Sequence, residues 1–394
     1  MSASSHVLGV YAPPPEQFTH GEGVRLFTED GRSYLDFIAG IAVNALGYNH
    51  PKLVAALKAQ ADKLWHTSNM FRAPGQAELA KRYCELTFAD RVFFTNSGTE
   101  AIECALKMAR RYHFAQGEPG RIEVLTFQGA FHGRTYGAVN AAANPAYLEG
   151  FGPPMAGFKQ LPFGDHAALE AAIGPQTAAV LIEPVQGEGG VRALPPQCLR
   201  GLRELCDKHG ALLIYDEVQC GASRTGKLFA HQWVEGAEPD IMAVAKGVGG
   251  GFPMGACLAT EKAGAPMVVG THGTTFGGNP LAMAVGMACI EELADPEFLA
   301  HVNHVSNVLT QGLEGLRQRH PDLVVDIRGK GLLRGLKLTQ APKPVQVAAR
   351  QAGLLVGVAG DNVVRLAPPL VISEADVREC VAILDATLPA ARLA

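Results

Sequence analysis

Between about residues 51 and 290, near-continuous apolar runs alternate with amphipathic helical stretches, and this alternation constrains the fold more than any other feature. The runs are VFFT (92–95), IEVLTF (122–127), AAVLIEPV (178–185), ALLIYDEV (211–218) and IMAVA (241–245). Helical patterns such as Glu100–Tyr112 and Gln197–His209 lie between several of them. A strand that is apolar on both faces must be covered on both, so the pattern predicts an α/β fold with a mostly parallel central sheet between helical layers. Residues 1–50 read as an irregular arm followed by short strands, with Asp30-Gly31 turning the chain between VRLF and SYLDF. After about 290 come a helix at 297–319, short strands VVDIRG and LLRGLKL, and a final helix at 373–388. The expected organisation is an N-terminal segment, 1–50, contributing to a small domain, a large domain over 51–290, and a C-terminal small α+β domain over 291–394. Asp295-Pro296 sits near the last junction.

Composition narrows the classes further. The 394 residues include 34 Lys+Arg and 38 Asp+Glu, a net charge of −4, which argues against a nucleic-acid binder with its basic stripe. Only 18% are charged while 47% are hydrophobic, which excludes disorder and implies extensive interior or subunit interface. The eight cysteines form no C-x-x-C pair, as expected of reduced cytoplasmic thiols. The opening MSASSHVLGVYAPPP lacks the basic start and apolar run of a secretory leader. The uncharged stretch Ala263–Ile290 is broken by Pro266, Pro280 and several glycines, so it predicts no membrane helix. A cytoplasmic protein without nucleic-acid or membrane partners is expected.

Several short motifs carry possible chemistry. In FFTNSGTEAIECALKMARR a strand ends at Thr95 and a helix begins after Asn96-Ser97-Gly98-Thr99. Free N–H groups there could hold a phosphate, or Ser97 and Glu100 could simply form a capping box. Asp216 follows a strongly apolar strand, where ligands bind in open α/β sheets, though a turn-capping aspartate reads equally well. Lys246, in MAVAKGVGGGFPMG, is placed either to act as a desolvated amine nucleophile or to snorkel to water. Arg134 and Arg365 are each a lone arginine among apolar or small residues, and such a group calls for an anion, substrate or structural. Gly221–Lys227 matches G-x-x-x-x-G-K, yet position 228 is Leu rather than the Ser/Thr that would hold Mg²⁺, and the loop follows the acidic strand instead of preceding it. It is read as a chance match. His301 and His304, at helical spacing, are read as a solvated face without carboxylate companions.

Taken in order, NSGTEA, GAFHGR, EPVQGEGG, YDEVQ, AKGVGGGFPMGA, THGTTFGGNP and VRLAPPL resemble the class III aminotransferases of fold type I, which use pyridoxal 5'-phosphate (PLP). The resemblance runs from about Tyr11 to the C-terminus. Within the family, GIAVNALGYNHP, GAFHGRT, EPVQGEGGV and THGTTFGGNPLA are most similar to members acting on N2-acetylornithine. The resemblance implies that Lys246 carries the cofactor as a Schiff base and moves a proton, that Asp216 pairs with the pyridine nitrogen, and that Gln219 holds the ring oxygen. It further implies Phe131 stacking on the ring, Glu183 supporting the bonds around Gln219, and Ser97, Gly98 and Thr99 taking the phosphate. Thr275 would reach the phosphate of a neighbouring subunit in a homodimer. Arg134, Thr274, Tyr11, Glu188 and Arg365 would meet the substrates, with Glu188 and Arg365 switching between them. The implied partners are N2-acetylornithine and 2-oxoglutarate/glutamate, in arginine biosynthesis. Succinylornithine, ornithine or succinyldiaminopimelate as donor, a PLP-dependent decarboxylase or aminomutase, and a binding protein that lost the chemistry are the alternatives.

Overall fold

The computed structural model describes residues 6–393, so the first five residues of the expected N-terminal segment and Ala394 lie outside the described residues. A seven-stranded sheet forms the centre, in the order Arg91–Thr95, Gly255–Ala259, Ile241–Ala245, Leu212–Asp216, Thr177–Ile182, Glu123–Phe127 and Phe158–Leu161. All run the same way except Gly255–Ala259, which pairs antiparallel with both its neighbours. That strand and Phe158–Leu161 were not foreseen. GACLA is small and follows a glycine-rich loop, so its composition gives no strand signal, and pairing with Arg91–Thr95 and Ile241–Ala245 supplies what propensity does not.

Period-two alternation explains the two apolar faces. Leu213, Tyr215, Val180, Ile182, Met242 and Val244 point into one core, while Leu212, Ile214, Ala179, Leu181, Ile241 and Ala243 point into the other. The second face is covered by the helix Gly98–Ala115, whose Ala101, Ile102, Ala105, Leu106 and Ala109 are buried. Among the covers of the first is Pro196–His209, which buries Leu199, Leu202, Leu205 and Cys206. Residues of the small strands Phe18–Glu22, Arg25–Thr28 and Ser33–Asp36 form a second sheet completed by Leu354–Leu355, so the chain's beginning pairs with its last quarter. A third sheet holds Val324–Lys330, Leu333–Leu338, Val363–Leu366 and Gly357–Ala359, packed beside the long helix Pro296–Arg319. Asp295 caps that helix, accepting from the Glu297 and Phe298 N–H groups at 2.7 and 3.1 Å.

One minor expectation changes. His304 does have a carboxylate companion, since its Nε2 lies 2.7 Å from Glu374 of another helix. The false nucleotide loop has a structural job: Arg224 is buried, and its guanidinium donates to the Leu332 and Pro368 carbonyls. All eight cysteines are free thiols, and no helix among the described residues is long and apolar enough to cross a membrane.

Candidate active site

Five co-directional strands end on one side of the sheet, and the residues just beyond them line a cavity of about 420 Å³. After Arg91–Thr95 come Asn96–Thr99. Glu123–Phe127 leads to Phe131, His132, Gly133 and Arg134, and Thr177–Ile182 leads to Glu183. Leu212–Asp216 delivers Asp216, Val218 and Gln219, and Ile241–Ala245 leads directly into Lys246. Carboxyl ends of parallel strands are where open α/β sheets leave room for ligands, because the chain there turns away into helices. Val43 closes the cavity from the N-terminal segment, next to a left-handed turn in which Ala39, Gly40, Ile41 and Ala42 all have φ between 49° and 67°.

Ser97 caps the helix Gly98–Ala115, its Oγ accepting from the Glu100 N–H, while Glu100 returns bonds to the Asn96 N–H at 2.7 Å and the Ser97 hydroxyl at 3.1 Å. The Ser97 cap is therefore real, but the full capping box is not, because Glu100 reaches the N–H of Asn96 rather than that of Ser97; the same turn lines the cavity. Gly98 is needed for space: a Cβ there would sit 2.7 Å from Val218 Cγ1. A Cβ on Gly187 would meet the end of the Gln219 side chain, which would have to move.

Asp216 is buried and doubly held, accepting from the Val218 N–H at 3.0 Å and facing His132 Nδ1 at 2.8 Å. His132 was missed as a site residue, although it stands inside GAFHGR; a histidine next to the more conspicuous Arg134 gives no signal of its partner 84 positions away. Glu183 is buried too and accepts from the Phe131 N–H at 3.1 Å. Burial, and then the neighbouring charge of Asp216, push its carboxyl well above the usual range. Lys246 has φ 51°, a left-handed conformation that costs a non-glycine residue strain and is tolerated mainly where the surroundings enforce it. Burial, with the cation of Arg365 nearby, lowers its amine pKa, which favours the neutral, nucleophilic form.

At the other end, Arg365 comes from the strand Val363–Leu366 and donates to both Glu188 and Gln219, the latter at 3.2 Å. Arg365 and Glu188 are 177 positions apart, and Arg365 Nε is buried without an acceptor. Arg134 is exposed on the rim and borders a second cavity of about 340 Å³ that includes Tyr11. Thr274 and Thr275 are not brought to the cavity of their own chain. Thr274 Oγ1 accepts from the Gly277 N–H at 3.1 Å, and Thr275 is exposed beside Phe276.

The residues present suit pyridoxal phosphate. They offer free backbone N–H groups at a helix start for a phosphate, a buried carboxylate for a protonated ring nitrogen, an aromatic side chain, and a lysine amine for an aldehyde. His132 Nε2, buried without a partner, adds an unspent polar atom to the same wall. The cofactor is pyridoxal 5'-phosphate, and the chain belongs to the class III aminotransferases, whose family model matches residues 10–388. It is 58% identical over 99% of its length to acetylornithine aminotransferase 2 of Caulobacter vibrioides, covering 97% of that protein. It is 57% identical to the acetylornithine aminotransferase of Mesorhizobium japonicum, over 96% of this chain and 94% of that one. Among solved structures, the ornithine aminotransferase of Toxoplasma gondii superimposes with a TM-score of 0.94 at 32% identity, covering 98% of this chain and 93% of that one. The N-acetylornithine aminotransferase of Stenotrophomonas maltophilia gives 0.84 at 39%, covering 96% and 97%.

Proposed function

We propose that this enzyme moves the terminal amine of N2-acetyl-L-ornithine to 2-oxoglutarate, giving N-acetyl-L-glutamate 5-semialdehyde and L-glutamate, in arginine biosynthesis. The observation that carries the chemistry is the convergence of Lys246, the Asp216–His132 pair and the Ser97–Thr99 turn on one cavity. When bound, pyridoxal phosphate supplies an aldehyde to take the amine and an electron sink for the carbanion. Asp216, held by His132 and the Val218 N–H, keeps the ring nitrogen protonated. Lys246 would hold the cofactor through its amine and would serve as the base at the substrate carbon; its lowered pKa suits both tasks. Ser97, Gly98 and Thr99 would hold the phosphate, Phe131 would cover the ring, and Gln219, supported by Glu183, would orient its oxygen. One cofactor serving two half-reactions implies ping-pong kinetics.

Arg134 takes the carboxylate remote from the reacting amine, with Tyr11 lining the same rim cavity. Arg365 takes the α-carboxylate of glutamate, and Glu188 pairs with it when the methylene chain of acetylornithine lies there instead. The Glu188–Arg365 contact supports this, because an unpaired arginine in that buried position would be costly. Thr275 reaches the neighbouring subunit's phosphate in a cytoplasmic homodimer. Support comes from its exposure, together with that of Trp65, Met70, Phe71, Val268, Val269 and Phe276. A panel of amine donors with 2-oxoglutarate, compared by kcat/KM, tests the assignment: N2-acetylornithine should lead. A lead for ornithine, or no transfer to 2-oxoglutarate, would overturn it.

A further inference from the structure

The distal arginine rests on two aromatic rings, one of which, Tyr147, lies outside all of the site motifs. Arg134 Cζ lies 3.6 Å from the centroid of the Tyr147 ring and 5.8 Å from that of Phe131. The two rings meet nearly perpendicular, with centroids 6.2 Å apart. Among the described residues the Arg134 guanidinium makes no ion pair and no hydrogen bond, so the ring faces are its specific contacts. Tyr147 is itself held in place. It is half-buried in the short helix Pro145–Leu148, its N–H donates to the Asn144 carbonyl at 2.9 Å, and Asn144 Oδ1 accepts from the Ala146 N–H at 3.0 Å. It also stands where the spaces meet. Tyr147 lines the 340 Å³ cavity with Arg134 and Tyr11, and a third cavity of about 630 Å³ with Phe131 and Glu188.

We infer that Tyr147 is a positioning residue for substrate recognition, holding the Arg134 guanidinium by its ring face so that the N–H edge is preset for a carboxylate. The inference rests on the reading of Arg134 as the carboxylate-binding residue. An exposed arginine samples many rotamers, and ordering it at the moment of binding weakens affinity. A ring beneath the guanidinium attracts the cation through its π face while using none of the N–H donors. Phe131 alone, 5.8 Å away, gives a looser contact. The attraction comes from the ring, so the phenolic hydroxyl is dispensable to this role.

The test uses the PLP-loaded enzyme, with glutarate as a dicarboxylate that binds but cannot react. Tyr147→Leu should raise the KM for N2-acetylornithine and for glutamate and weaken the Kd for glutarate, each by about five- to tenfold. The kcat, the visible absorption of the bound cofactor and the Tm should stay near wild type. Tyr147→Phe should restore KM and Kd to within about twofold. Unchanged glutarate affinity in Tyr147→Leu would overturn the inference. So would a loss in Tyr147→Phe equal to that in Tyr147→Leu, or a loss confined to kcat and cofactor absorption. Arg134→Gln is the parallel arm. If it leaves glutarate binding intact, the reading of Arg134 fails; if it weakens binding while Tyr147→Leu does not, only the aromatic seat fails.

Discussion

At the floor of the cavity Asp216 and Glu183 are buried and fixed by backbone N–H groups and by His132, whereas Arg134 on the rim is exposed and rests on aromatic faces. The floor is rigid because each group there follows a central strand whose ladder is complete on both sides. The rim comes from loops and from the N-terminal segment, which brings Tyr11 to the same cavity as Arg134. Chemistry common to a whole family sits on the rigid part. On the function proposed above, choice of substrate falls where side chains can be exchanged without disturbing the sheet.

The largest effect expected is at the floor. Lys246→Ala should retain PLP through the phosphate turn and Asp216 yet lose at least about 10³-fold in turnover, followed by rate and visible absorption. Wild-type rate and spectrum in that variant would remove the floor's claim to the chemistry. On the rim, Arg134→Gln should lower kcat/KM by about 10- to 100-fold in both half-reactions, the loss of a charge-assisted bidentate contact, and Arg134→Lys should also be poor. A deficit confined to one substrate would mean that the rim is not shared.

Glu188→Gln probes the boundary between the two regions. Its side chain is about one-third exposed, so the loss is discounted for solvent: the acetylornithine half-reaction should slow by about tenfold while the glutamate half-reaction is spared. Single-turnover rates measured separately would show it, and equal losses would leave Glu188 a structural partner of Arg365.

The smallest effect concerns stability. Burial pushes the Glu217 carboxyl up to about 8, although it accepts from the Ala230 and His231 N–H groups. A carboxyl raised in the folded state favours folding fully below its unfolded pKa. That contribution is lost as pH climbs from near the unfolded value toward about 8. Thermal unfolding should therefore show Tm falling over this window, and Glu217→Gln should flatten the fall by about 2 °C or more. An unchanged slope in the variant would show that the buried Glu217 carboxyl stores no such cost.

The sequence by itself determined the strands whose side chains are apolar on both faces, because period-two burial in a covered sheet leaves no alternative for runs such as ALLIYD and IMAVA. It also determined the local parts of the site, namely the Ser97–Glu100 capping turn and the placing of Asp216 and Lys246 at strand ends, since a cap and a strand end depend on neighbours in the chain. Only the tertiary structure decided the rest. Gly255–Ala259 became a strand because two partners flank it, and Arg224 serves carbonyls more than 100 residues ahead of it rather than a nucleotide. His132 found Asp216, Arg365 found Glu188, and Arg134 found Tyr147 instead of a carboxylate. In each case spacing records periodicity and caps, which act over one or two turns, while a contact between loops depends on how the sheet folds them together.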